Sequence, residues 1–103
     1  MDILKKIKKY AVARRIRFTE KARTERLHDH LSVEDIIESL VNAQAINKIL
    51  RSRSSERKMR REKLFVIISP NMDGTLIYTK GLFRKHENVE EYYLFISSKW
   101  SRI

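Results

Sequence analysis

The prevailing spacing of apolar residues changes near residue 44, and that change restricts the fold more than any other feature. Before it, apolar side chains recur at helical intervals except in one short stretch; after it, they alternate or run continuously, as strands do. The clearest helical stripe is Val33, Ile36, Ile37, Leu40 and Val41, with Gln44 at the next matching position. Ser32 precedes it as an N-cap, and Glu34 and Asp35 in the first turn face the positive end of the helix dipole. This predicts a helix over residues 33–44. Upstream, Ile3, Leu4, Ile7, Tyr10 and Ala11 predict an amphipathic helix over residues 2–13, with Lys5, Lys6, Lys8 and Lys9 mostly on its other side. Ile16 and Phe18 alternate with Arg15, Arg17 and Thr19, the pattern of a short half-buried edge strand. Residues 19–28 read as a second, weaker helix capped by Thr19.

Beyond residue 44, residues 46–53 are β-capable, Leu64 to Ser69 is a continuous apolar run, and Leu76 and Tyr78 alternate with Ile77. Tyr92, Leu94 and Ile96 alternate with Tyr93, Phe95 and Ser97 in a last strand, after a polar connection at residues 85–90. Pro70, Asn71, Asp73 and Gly74 carry turn chemistry and predict a hairpin over residues 64–79. With two Gly and one Pro in the whole chain, most residues belong in regular elements. Helices followed by consecutive strands predict a single α+β domain over residues 1–103, its helices packed on one face of an antiparallel sheet of about four strands. The other face is free to meet water or RNA.

The chain holds 23 Lys plus Arg against 13 Asp plus Glu, a formal charge of +10 on 103 residues. That excess raises a potential that attracts polyanions, and nucleic acid is the leading partner class. The charge is clustered, with ten bases against four acids in residues 1–30 and seven against two in residues 51–63. A solvated basic face without a ligand is the plainer alternative, and a membrane-surface role the lesser one. The lack of cysteine excludes disulfides, a thiolate nucleophile and cysteine-ligated zinc. No apolar run reaches the roughly 20 residues that cross a bilayer, and no signal-peptide core follows the lysines, so the expected address is the cytoplasm, without membrane attachment.

The residues that point to chemistry are basic and aromatic. Arg51 and Arg53 are two apart on one expected strand, as are Tyr78 and Lys80 on another, and each pair projects to one side. Arg57, Lys58, Arg60 and Arg61 lie in the next connection, and Lys99 lies near the C-terminus. Arg53, Arg57, Arg60 and Arg61 are read as RNA contacts, the alternative being a solvated loop. RNA cleavage without a metal needs a base for the 2′-hydroxyl proton, an acid for the departing 5′-oxygen and cations around the phosphate. Tyr, Lys and Arg supply all three, so no cofactor and no metal is expected. His28 and His30 suit proton transfer near neutral pH but flank Asp29 at a helix end, where capping or exposed loop positions are equally in keeping; the pair lacks a third metal ligand. Glu34, Asp35 and Glu38 are read as a solvated, dipole-compensating face with no catalytic role.

Ile77-Tyr78-Thr79-Lys80, the strand from Tyr92 to Ile96 and the ending Ile96-Ser97-Ser98-Lys99 resemble the strand pattern of MqsR-type and RelE-like mRNA interferase toxins. The resemblance covers roughly residues 19–100 and rests on the order of short motifs. It implies a type II toxin that cleaves mRNA, alone or on the ribosome, and is held inactive by a cognate antitoxin. By it, Tyr78 and Lys99 are active-site residues, Arg51, after Ile49 and Leu50, holds phosphate, and Lys80 assists. The sequence departs from the pattern at residues 53–63, where no counterpart of the polar active-site glutamine is found; Gln44 lies in the helix and does not replace it. The N-terminal helix has no family equivalent. A non-catalytic RNA- or DNA-binding module, or a basic ribosome-associated protein, would account for the same charge.

Overall fold

The computed structural model describes residues 2–51, 62–88 and 90–102. Three helices precede most of a five-stranded sheet: α1 (Ile3–Val12), β1 (Ile16–Phe18), α2 (Glu20–His28), α3 (Val33–Asn42), β2 (Lys48–Arg51), β3 (Lys63–Pro70), β4 (Leu76–His86) and β5 (Glu90–Trp100). The α+β class stands as expected. The sheet does not: it has five strands in the order β1-β5-β4-β3-β2, and it is mixed, because β1 pairs in parallel with β5 while the other neighbours are antiparallel.

Asp2, Thr19 and Ser32 cap the three helices through their side-chain oxygens, and Ser32 and Asp35 form a reciprocal capping box. The stripe of α3 buries Ile36, Ile37 and Leu40 beside Ile7, Tyr10 and Ala11 of α1. Val41 is the exception and stays exposed. The inner face of the sheet supplies Phe65, Ile67, Ile77, Tyr93 and Phe95 to the same core. At Gly81 the Tyr93 ring lies so close that a Cβ would stand 2.6 Å from it, so the ring's hydroxyl end needs the bare backbone there. Burial without a hydrogen-bond partner pushes the Tyr93 hydroxyl pKa up, which keeps it neutral.

The acids on α3 are engaged by neighbouring elements rather than left to solvent alone. Glu34 pairs with Arg14, Asp35 accepts from Asn71 Nδ2 at 3.0 Å, and Glu38 accepts the Met72 amide at 2.9 Å. Asn71 and Met72 belong to the β3–β4 turn, where Asn71 Oδ1 also accepts the Asp73 and Thr75 amides and Gly74 takes φ +85°. The β4–β5 hairpin is longer than the alternation suggests. Residues 85–86 and 90–91 are paired strand rather than connection, and the chain reverses at Glu87 and Asn88, both at positive φ.

Helix α2 seals one edge of the sheet. β1 covers β5 only as far as Phe95, after which the β5 backbone amides face α2. Glu25 accepts the Ser98 amide at 3.0 Å and the Ser97 hydroxyl at 2.8 Å, and Asp29, one turn on, accepts the Trp100 amide at 2.9 Å. Carboxylates at i and i+4 on a helix thus match amides at i and i+2 on a strand, because the two rises are similar, about 6 Å and 6.8 Å. Burial raises the pKa of both carboxyls, but the hydrogen bonds outweigh it and hold both below their ordinary values.

A carboxylate with a depressed folded-state pKa stabilises the fold above its unfolded pKa, and that contribution disappears as pH falls through the folded value. Stability should therefore be flat from neutral pH down to about 5 and decline below it as these groups take up protons. Glu25→Gln with Asp29→Asn should make that decline shallower in denaturant titrations repeated across pH. An unchanged slope would show that the edge carboxylates contribute nothing to it.

Candidate nucleic-acid interface

Alternation along the strands sorts the candidate residues by face. Ile77 and Thr79 are fully buried against the helices, so Tyr78 and Lys80 between and beside them point outward. Lys99 is the cross-strand partner of Tyr78, and its Nζ lies 5.5 Å from the centre of the Tyr78 ring. Lys80 is two residues further along β4, opposite Ser97 on one side and Val66 on the other. Tyr78, Lys80 and Lys99 therefore form one half-buried group on the sheet face turned away from the helices, where their outward neighbours Val66 and Leu82 are buried. Among the described residues, no ion pair neutralises either lysine.

Arg51 does not join them. It pairs with Lys63 on β3, whereas Tyr78 pairs with Ile68, five residues along the same strand. At about 3.4 Å per residue and 4.8 Å per strand, the two backbones are roughly 20 Å apart. The alternation that sends Leu50 and Leu64 outward also turns Arg51 toward the helix side. Arg53, Arg57, Lys58, Arg60 and Arg61 lie outside the described residues. His28 is exposed, with Nδ1 3.2 Å from Asp29 Oδ1, and His30 is exposed at φ +57°, where the chain leaves α2. The cavity that Tyr78 and Lys99 line among the described residues includes neither histidine. Among the described residues no cluster of three His, Cys, Asp or Glu could hold a metal, and no helix is long and apolar enough to cross a membrane.

Two features of the face escaped the sequence reading. Arg17 of β1 projects outward opposite Leu94 and lays its guanidinium 4.9 Å from the centre of the Tyr92 ring. The alternation of Ile16, Arg17 and Phe18 signalled that orientation; the partner on β5 was not legible. At the other end, Tyr78 and Lys99 share a cavity of about 270 Å³ with Trp100, Ser101 and Arg102. This face of the sheet thus carries aromatic rings overlaid by cations at both ends, an arrangement suited to phosphates and bases together. Protein-family models, curated proteins and solved structures contain no match to this chain.

Proposed function

We propose that the chain is a metal-independent endoribonuclease acting on mRNA, a cytoplasmic type II toxin of RelE-like fold that a cognate antitoxin restrains. The observation that carries this reading is the placement of Tyr78 directly across from Lys99, with Lys80 next on the same side. Cleavage begins when the 2′-oxygen, losing its proton, attacks phosphorus. The bond from phosphorus to the 5′-oxygen then breaks, and that oxygen takes up a proton. Tyr78 and Lys99 are the proton-transfer pair, and Lys80 offsets the charge that develops on the phosphate. The products are a 2′,3′-cyclic phosphate and a 5′-hydroxyl.

The distance of Arg51 from this group favours a second reading, a non-catalytic RNA-binding module whose cations make spread-out phosphate contacts. Incubation with single-stranded RNA in excess EDTA separates the two. The first gives cyclic-phosphate ends at an undiminished rate; the second gives binding without cleavage. Both predict salt-sensitive affinity, and Lys80→Ala with Lys99→Ala should flatten the log-log salt slope by about 1.4, at roughly 0.7 per single-strand phosphate contact. An unaltered slope would remove these lysines from the phosphate path.

A further inference from the structure

The cavity beside Tyr78 and Lys99 has a wall that phosphate chemistry does not explain. Trp100 is large and apolar, yet 41% of its surface is exposed. Its position is fixed from several directions. Its amide is bonded to Asp29, its backbone pairs with Ile77, and the Arg102 guanidinium lies 5.6 Å from the centre of its ring. Arg102 is itself tethered, donating to the Trp100 carbonyl at 3.2 Å and to Asp29 Oδ1 at 3.4 Å. Covering the exposed part of this indole with an apolar ligand surface would be favourable.

The space in front of it is small. At about 270 Å³, it falls just below the usual range for drug-sized ligands and suits one planar ring system. The residues around it that carry polar side-chain groups within reach of a ligand are Tyr78, Lys99 and Arg102. A planar ring with hydrogen-bonding edges, attached to a phosphate, meets each of these requirements. We infer that Trp100 is the stacking platform for one nucleobase of single-stranded RNA at the end of the sheet, where the cavity joins it to Lys99 on the other side of the strand, which holds the adjoining phosphate, with Arg102 at the edge of the base. The base stacks on the indole because every base offers a π-face, so the subsite positions RNA without selecting sequence strongly.

This inference rests on the RNA reading above, and its test keeps the two separable. Trp100 is the chain's one tryptophan, so its fluorescence reports this subsite alone. The probes are a 2′-O-methylated single-stranded oligonucleotide, which cannot form the cyclic phosphate, and inorganic polyphosphate of similar charge. The oligonucleotide should quench the emission saturably, and polyphosphate should not. Trp100→Ala should weaken oligonucleotide binding by about 5- to 150-fold, the range for losing one stacked base, while Trp100→Phe keeps most of the affinity.

Equal quenching by both probes, or full affinity in Trp100→Ala, would overturn the stacking role. If Trp100→Ala fails to fold, the wild-type quenching and the Trp100→Phe affinity still decide. A stacking failure alongside intact RNA cleavage rejects only this inference. No oligonucleotide binding by the wild-type protein rejects both.

Discussion

Truncating Phe95 to alanine should cost this protein about 3–5 kcal/mol of stability, the largest effect expected of any single change to its core. Phe95 is fully buried, stacked on Phe18 with ring centres 4.8 Å apart and edge-on to Tyr93 at 5.2 Å. Tyr93 in turn meets Phe83, and Phe83 meets Tyr10 and Phe65, so one chain of aromatic contacts joins β1, β5, β4 and β3 to α1. Phe95 is also where β1 ends its pairing and α2 takes over the edge, its carbonyl accepting the Thr19 amide. A void there loosens both neighbours.

For a domain of this size 1 kcal/mol shifts the melting temperature by about 4–8 °C, so thermal unfolding should fall by roughly 12–40 °C. A drop of only a few degrees would mean that this aromatic chain is not the main support of the fold. The distinction matters for function, since β5 carries Tyr92 and Lys99 on its opposite side.

Helix α3 was legible from sequence because cap, dipole acids and stripe all agree on one register, and such agreement leaves few alternatives. β1 was legible as a strand but not as a parallel one. Three residues carry no information about which distant strand they join, and the partner, Tyr93 to Phe95, lies near the other end of the chain. The sealing role of α2 was hidden for a different reason. Its apolar pattern is weak because its main contact with β5 is polar: Glu25 and Asp29 act as hydrogen-bond acceptors for a strand edge, which hydropathy does not register. The ends of β4 and β5 were underestimated because Arg84, Lys85, Glu90 and Glu91 are charged residues that nevertheless pair.

The candidate site shows the same division. That Tyr78 and Lys80 share a side follows from their spacing alone. That Lys99 stands opposite Tyr78 depends on the β4–β5 register, which a bulge between Lys80 and Gly81 shifts by one residue. The resemblance alone joins Arg51 to this group, since its face is set by pairing with β3, and that pairing turns it away. Trp100 and Arg102 carry no sequence signal of their own, because their relation to Tyr78 exists only once α2 has clamped the end of β5 through Asp29.

The central claim is that Tyr78 and Lys99 perform chemistry on RNA rather than merely touch it. Tyr78→Phe removes one hydroxyl from an outward-facing, half-buried ring, leaving the ring and its contact with Lys99 in place. General acid or base catalysis is worth about 10² to 10⁴ in rate, or about 2.7–5.4 kcal/mol of barrier. Phosphate contacts made by the lysines are unaffected, so affinity should change little. Lys99→Ala should slow the reaction too, and it should also weaken binding because it removes a phosphate contact. The measurement is the single-turnover cleavage rate of single-stranded RNA at saturating protein in EDTA, for wild type and Tyr78→Phe, with circular dichroism to establish that both are folded. The account predicts a rate 10² to 10⁴ times lower in Tyr78→Phe at near-unchanged RNA affinity; an equal rate in the two proteins would contradict it.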